Sequence, residues 1–469
     1  MRIILLIKYT YTIYYCSIFN HKSVQTGIIN MKKKTLLIPI AISILFYALL
    51  FYRIFFSVSL HDEAYNIAEA LRIAKGDLPF IDVWDFYHMG DLINVPFLYL
   101  YISITKSTEG IFLFSRLVYL CFVSLESIII FIILSKMFHS KESGATAFLL
   151  IFYAPFSLYY FWYDTSMMHF SILIILLFSY ACIKEGTHRK GLFIISGFLH
   201  ACAVYSYPTM LLVTISLLSI LIAFSYKHLY KIKVSDIFSF IGGGSLLLIL
   251  FFLYAFVHQN YTDFFFLNSE LLSSTLNNRS TTLKEHCAQI LLLFKSMAKQ
   301  MQWSILPSAI LLILFYKNYY KPSKKYLCSF LVGLCTTTIV FLFNPTQTTS
   351  IIYSFWLAIW SPFLFYLLPI ELRTMYKSFF TICSTSSFFG TIGMLLISLG
   401  SDVKIFLATL PNTIFSVAII ILLLQKHFSP TKRHLLALCF PFTYLALFWL
   451  TTFTYYPITS CTVQAESGI

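Results

Sequence analysis

Charged residues are scarce in this sequence. Asp, Glu, Lys and Arg fill only 11% of its 469 positions, whereas 59% are hydrophobic. A soluble domain normally carries about 25% charged residues, so the composition excludes an ordinary soluble globular protein. The chain is predicted to be solvated by lipid.

Paired cysteines and a basic stripe are also lacking. The ten cysteines are scattered and mostly lie within apolar runs, which is typical of small core residues rather than of disulfides or metal ligands. A net charge of +14 could suggest nucleic acid, but the lysines form short clusters between apolar runs, without interleaved exposed aromatics. A membrane topology signal explains these clusters better, and no nucleic-acid partner is predicted.

Long apolar runs are what the sequence does contain. A membrane span needs about 20 apolar residues, and windows of that length predict an all-α transmembrane bundle of about thirteen helices. The Gly242-Gly243-Gly244 run and Pro307 are positions where a span could break. The spans are predicted near 35–57, 110–134, 144–160, 168–183, 191–206, 208–226, 237–257, 303–316, 326–343, 350–370, 378–400, 405–425 and 435–456.

The distribution of lysine and arginine predicts the orientation. The connecting segments on the side of Lys32 hold 20 of the 33 basic residues and 4 of the 19 acids, whereas the opposite segments hold 8 basic residues and 14 acids. Cytoplasmic loops collect Lys and Arg. The pattern therefore predicts a multi-pass protein of the cell (inner or plasma) membrane, with its N-terminus inside and its C-terminus outside.

The chain is predicted to fall into four parts. Residues 1–30 form no convincing span, and Met31 with the three lysines after it is typical of a signal-anchor start, so Met31 is the expected initiator. Residues 31–257 form the transmembrane module expected to carry the site. Residues 258–302 form a long outer loop, and residues 303–469 the C-terminal transmembrane helices.

The first outer loop, residues 58–109, holds eight of the 19 acids. It begins with Asp62-Glu63 and continues in a helical pattern that Gly76 is expected to end. The pattern predicts an amphipathic juxtamembrane helix over 63–75 that lies on the membrane surface. Helix capping by Asp62 and a favourable dipole interaction of Glu63 explain part of this acidity. The apolar stripe of the helix consists of Ile67, Ala70, Leu71 and Ala74.

The order of residues in this loop resembles the polytopic GT-C glycosyltransferases. It is most similar to the bacterial branch related to protein O-mannosyltransferases and the lipid A aminoarabinose transferase. Where that family has two prolines after the His or Lys, this chain has Met89-Gly90. The resemblance covers roughly residues 35–230 and is carried by Asp62-Glu63, Pro79, Asp82, Tyr87-His88 and Arg116.

The resemblance implies transfer of a sugar from a polyprenyl-phosphate donor to a lipid, glycan or protein acceptor on the outer side of the membrane. Asp62 would be the general base. Glu63 and Asp82 would orient it or bind sugar hydroxyls. His88 and Arg116, which belong to the resembling pattern, are candidates for substrate binding, together with Asp85 of the same loop.

A short outer turn and the second outer loop add further candidates. Asp164 and His169 follow Trp162-Tyr163 on the predicted outer side, where the two aromatic residues would serve as interfacial anchors. The carrier phosphate also needs cations, which Arg279 and Lys284 could supply. Oxygen and nitrogen ligands for a divalent metal are offered by Asp62, Glu63, Asp82, Asp85, His88, Asp164 and His169. None has a recognised ligand spacing, so a metal cofactor stays possible and no fixed site is predicted.

Three points stay open at this stage. Glu126 is an ionisable residue within a span, predicted to be structural and to reach toward a nearby inner helix end. A polytopic transporter or flippase is one alternative function, although the ionisable residues gather in loops and no repeat is visible. A lipid-linked oligosaccharide (O-antigen) polymerase or ligase is the other, with its chemistry in loop 258–302.

Overall fold

The computed structural model describes residues 62–79, 81–83, 89–138, 160–186, 188–226 and 232–258, together with a few single positions elsewhere. The chain divides into two compact units, Met1–Arg53 and Ile54–Ile469, and all the elements below belong to the second. In the described ranges the secondary structure is helical, and the only β contact is an isolated bridge between Pro79 and Val83. The expectation of a helical protein is therefore confirmed for these ranges.

Seven α-helices make up the described part of the chain. A 3-10 turn, Pro208–Met210, leads into the sixth. The helices are α1 Asp62–Ala74, α2 Met89–Thr105, α3 Ile111–Phe138, α4 Tyr163–Ile183, α5 His188–Ser206, α6 Leu211–Tyr226 and α7 Val234–His258.

Three of these helices are long and apolar enough to cross a membrane. They are α3 over Ile111–Met137, α4 over Tyr163–Ile183 and α7 over Val234–His258. They correspond to the spans predicted near 110–134, 168–183 and 237–257, although α4 begins five residues earlier than predicted. The predicted spans near 35–57 and 144–160, and all those after residue 300, lie outside the described ranges.

Helix α1 ends at the glycine that the sequence singles out. Gly76 has a φ of +117°, a left-handed conformation that favours glycine. The amide of Asp77 donates to the Arg72 carbonyl and that of Gly76 to the Ile73 carbonyl, the pair of bonds that defines a Schellman motif. The chain therefore leaves α1 in a fixed direction and enters the turn around Pro79.

Helices α1, α2 and α3 share a small core. Ile67 and Ala70 of α1 are buried in one cluster with Leu98 of α2 and Ile111 of α3. The predicted apolar stripe is thus covered by helices α2 and α3. The buried face of α1 also carries the polar residues Glu63 and Asn66, which an amphipathic surface helix would expose.

Helix α4 is the enclosed helix of the described part, and α7 is the exposed one. In the most apolar 18-residue window, 83% of α4 is buried but only 12% of α7. Helices α3 and α5 pack against α4, and α7 packs against α5. Most side chains of α4 are therefore buried.

Glycines set the crossing of α5 and α7. A Cβ on Gly197 would overlap the Phe240 carbonyl oxygen, and one on Gly243 would overlap the Ile194 carbonyl oxygen. Such close backbone approach is typical of small-residue helix contacts in membranes. Helix α7 continues without interruption through Gly242, Gly243 and Gly244, so the helix break considered for this run is wrong. Pro307 lies outside the described ranges.

A Gly243→Ala substitution should therefore destabilise the protein, whereas Gly242→Ala should not. The extra methyl at Gly243 forces the two helices apart, and overpacking of this kind costs about 1–3 kcal/mol. A Cβ at Gly242 meets nothing within 4 Å, and alanine is the better helix former. Thermal unfolding of the purified full-length variants in detergent measures the difference; equal stabilities would contradict the close crossing.

Candidate functional site

Glu63 and Arg116 form a buried ion pair between α1 and α3. Nε and Nη2 of Arg116 each donate to one carboxylate oxygen of Glu63, both at 2.6 Å, and Nη1 donates to the Ile54 carbonyl at 2.5 Å. The side chains are only 4% and 1% exposed. This two-point geometry is the strong form of a charge-assisted hydrogen bond, and it fixes the start of α1 against α3.

Asp62 is the first residue of α1, directly before this anchored glutamate. The ion pair therefore also fixes the backbone of Asp62, because this residue belongs to the same first turn of α1. The side chain of Asp62 lies outside the described part of the structure. The same holds for the candidates Asp85, His88, Arg279 and Lys284, whose roles stay predictions.

A second buried polar contact joins α1 to α2, and the sequence reading missed it as a site. The Asn66 amide donates to a carboxylate oxygen of Asp91, and the Asn94 amide donates to Asn66 Oδ1 at 3.2 Å. All three residues are at most 3% exposed. Asn66 lies one helical turn after Glu63, so both belong to one polar face, and that spacing is the signal in the sequence that points to them.

The start of α2 packs directly against the start of α4. A Cβ on Gly90 would lie 3.0 Å from the backbone of Trp162, which is tighter than a normal contact and leaves room only for glycine without a shift. Trp162 caps α4 through its amide, which donates to Thr165 Oγ1 at 2.8 Å. The glycine at position 90 thus has a local physical reason.

These contacts bring together the first turns of α1, α2 and α4, a region that we call the acidic junction. It contains Asp62 and Glu63 on α1, Asp91 on α2 and Asp164 on α4. Helix N-termini carry a partial positive charge that stabilises nearby carboxylates. Three helix starts lie in this region, and the pairing of the first loop with the turn at Asp164 stays a prediction.

Asp82 lies at the other end of α1. Its carboxylate accepts from the Leu78 amide at 2.8 Å, and its carbonyl accepts from Arg72 Nη2 at 2.7 Å. Arg72 also pairs with Asp77. Since ten residues of helix span about 15 Å, Asp82 belongs with the C-terminal end of α1, away from Asp62. Its predicted role beside Asp62 stays a prediction, and the described contacts instead give it a part in closing the turn.

His169 is directed into the helix bundle instead of toward the junction. Its Nδ1 lies 2.6 Å from Glu126 Oε2 and its Nε2 lies 2.7 Å from the Tyr119 hydroxyl. Both ring nitrogens are therefore engaged, and a substrate would have to displace one of these bonds. Glu126 sits near the middle of the 28-residue helix α3. The expectation that it reaches toward an inner helix end is wrong, because the imidazole is its partner.

The aromatic residues around Asp164 pack on one another. Tyr160 stacks on Trp162, which meets Tyr163 edge to face, and Tyr163 stacks on Tyr207 with ring centres 5.9 Å apart. Tyr160 and Tyr207 are only 1% exposed, so these ring contacts pack the start of α4, and the interfacial role of Trp162 and Tyr163 stays a prediction.

The described residues contain no group of three or more His, Cys, Asp or Glu side chains arranged to hold a metal ion. Among the cations in these ranges, Arg116 is committed to Glu63 and Arg72 to Asp77. Lys75 and Lys106 are exposed. Both lysines directly follow the C-terminal ends of α1 and α2, away from the junction, so a phosphate there would depend on helix N-termini or on groups outside the described ranges.

Comparison with known proteins adds no relative: no protein-family model matches the chain, and no curated protein matches it significantly. The geometry of the site and the residue pattern of the first loop are thus the basis for any functional assignment.

Proposed function

We propose that the chain is a GT-C-type membrane glycosyltransferase that moves a sugar from a polyprenyl-phosphate donor to a lipid, glycan or protein acceptor. The observation that supports this most directly is the acidic junction, where a buried Glu63–Arg116 pair holds the residue after Asp62 in place. Anchoring of this kind is what a general base needs, since proton transfer depends on fixed geometry.

In the proposed reaction an acceptor hydroxyl attacks the anomeric carbon of the donor sugar. The bond from that carbon to the phosphate oxygen breaks, the polyprenyl phosphate leaves, and the acceptor proton passes to Asp62. In this proposal Asp164, in the first turn of α4, binds sugar hydroxyls. Glu63 acts on Asp62 through position, because both of its oxygens accept from Arg116.

The membrane setting belongs to the same proposal. Thirteen spans, an N-terminus inside and a C-terminus outside place the acidic junction on the outer face of the cell membrane. The asymmetric distribution of basic residues supports this orientation. On that face a polyprenyl-linked donor is the expected sugar source, because its lipid tail stays in the bilayer.

A transfer assay tests the proposal. The purified full-length protein in lipid nanodiscs is incubated with sugar-labelled polyprenyl phosphates and with membrane lipid, glycan or peptide acceptors, with and without a chelator of divalent cations. We expect label to move to an acceptor, or to be released by water when no acceptor is present. Activity that the chelator removes would assign a metal to the reaction; the absence of transfer and release with every donor would contradict the proposal.

Transport is the second candidate, and one observation favours it. Glu126 and His169 are an ionisable pair buried within candidate membrane spans, and such residues commonly lie on ion or substrate pathways. Uptake of the same labelled lipids into proteoliposomes, in the absence of any transfer, would support this alternative over the transferase.

A further inference from the structure

Tyr119, His169 and Glu126 form a continuous hydrogen-bonded array inside the helix bundle. The hydroxyl of Tyr119 contacts one nitrogen of the His169 ring at 2.7 Å, and the other nitrogen contacts Glu126 at 2.6 Å. Each side chain is at most 2% exposed. Because the carboxylate accepts only, Nδ1 must carry a hydrogen, and in the neutral ring Nε2 then accepts from Tyr119.

The two buried glutamates of this region differ in the partner that balances their charge. Glu63 faces a guanidinium, which stays charged at every pH that proteins meet. Glu126 faces an imidazole, which is charged only when both of its ring nitrogens carry a hydrogen. Glu126 Oε1 has no hydrogen-bond partner among the described residues. The first pair is therefore permanently neutral overall, whereas the second is neutral only when it holds an additional proton.

The surroundings make the charge of the array matter. Phe122 and Phe161 meet the His169 ring or the Tyr119 ring edge to face, so the array lies against apolar walls where an uncompensated charge is costly. The other charged groups on the helices around it are paired or lie near helix ends. These and the remaining titratable groups on α2 to α5 are Glu63 with Arg116, Arg189 with Asp236, Asp91, Tyr99, Tyr101, Cys121, Lys136, Tyr163, Asp164, Tyr180, Cys182, His188, Lys190, His200, Cys202 and Tyr205.

We propose that the Tyr119–His169–Glu126 array is a proton-binding site within the membrane-spanning helices. Without the additional proton, a neutral imidazole and a carboxylate give the array a charge of −1. One proton taken from water converts it to an imidazolium and a carboxylate with no net charge. Nε2 then donates to the Tyr119 oxygen, and the hydroxyl hydrogen of Tyr119 turns to another acceptor. The inference does not rest on the transferase proposal, because no sugar takes part.

Nitrogen-15 NMR of histidine-labelled, full-length protein in nanodiscs reads this proton directly. The titration runs from about pH 5 to about pH 9, the interval in which histidine side chains ordinarily change their charge. We expect His169 to carry hydrogens on both ring nitrogens at its acidic end. One of these hydrogens should be lost as the pH rises. Infrared spectroscopy on the same samples reports whether Glu126 is protonated at any point. A constant number of protons on His169 and Glu126 throughout the titration would overturn the proposal.

The chain supplies its own control and a gentle variant for assignment. His200 is also buried, but its Nε2 bonds to the neutral Thr214 hydroxyl at 2.7 Å and its Nδ1 has no partner among the described residues, so it should show no second hydrogen at neutral pH. Tyr119→Phe removes one oxygen atom and should shift the His169 signal alone. In Glu126→Gln the second hydrogen should be absent over the same range, because its balancing charge is gone. A second hydrogen that survives in Glu126→Gln would also count against the site.

Discussion

An Arg116→Met variant is expected to unfold with a free energy about 3–5 kcal/mol below that of the wild-type chain. The substitution leaves the Glu63 carboxylate, 1% exposed, without the guanidinium that accounts for both of its described hydrogen bonds. It also removes the donor to the Ile54 carbonyl. Methionine keeps much of the side-chain volume. The loss of stability therefore measures the effect of the missing charge and not that of a cavity.

Two comparisons sharpen this measurement. In Glu63→Gln/Arg116→Met both charges are removed, and much of the stability should return, since a buried ion pair and an uncharged pair of similar volume often differ little. In Arg72→Met the lost partners are Asp77, in an exposed pair with side chains 53% and 39% exposed, and the exposed Asp82 carbonyl, and about 1 kcal/mol or less should be lost. Equal losses for Arg72→Met and Arg116→Met in detergent melts would contradict the structural role of the buried pair.

Part of this arrangement can be predicted from the sequence. Helix α1 was predicted over 63–75 and runs from Asp62 to Ala74, because its apolar spacing and the glycine at its end are local signals. The sequence also predicts that Tyr119 and Glu126 lie on the same face of helix α3, since seven residues make about two helical turns. Their partner His169 cannot be predicted in this way. It lies 43 positions beyond Glu126, and only the packing of α3 on α4 brings the two side chains together.

His169 also shows why proximity along the chain misleads within a helix. The sequence reading grouped it with Asp164, five positions earlier, as if both faced the same site. Five residues rotate an α-helix by about 500°, which leaves the two side chains about 140° apart around the axis. One therefore belongs to the first turn at the acidic junction, whereas the other points into the bundle toward Tyr119 and Glu126.

The contact between Gly90 and Trp162 is a long-range feature that could not be predicted from the sequence. Residues 58–109 were read as an outer loop, yet the apolar segment from Met89 to Thr105 forms helix α2. Its 17 residues lie at the short end of the range for a membrane span and include Asp91 and Pro96, so the segment is easily assigned to the acidic loop that precedes it. The position of α2 determines which carboxylates meet, and that position depends on a backbone contact with no side-chain signature except a glycine.

An Asp62→Asn substitution is the decisive test of the proposed chemistry, and we expect it to lower the rate of sugar transfer by about 10²–10⁴-fold. Asparagine cannot take a proton from the acceptor hydroxyl. It does retain the ability to cap a helix, since Asn and Asp are about equally good at that position. The variant should therefore fold and reach the membrane normally while losing activity, which separates catalysis from capping.

Asp77→Asn provides the matched control, because it makes the same chemical change on the segment just after α1. Asp77 contacts the exposed Arg72 and has no place in the proposed reaction, so transfer should stay close to the wild-type rate. Full activity of Asp62→Asn, measured in the same nanodisc assay, would remove Asp62 as the base and leave capping as its function. A loss of transfer in Asp62→Asn but not in Asp77→Asn would instead assign the chemistry to Asp62. This residue lies in the first turn of α1, which the buried Glu63–Arg116 pair holds in place.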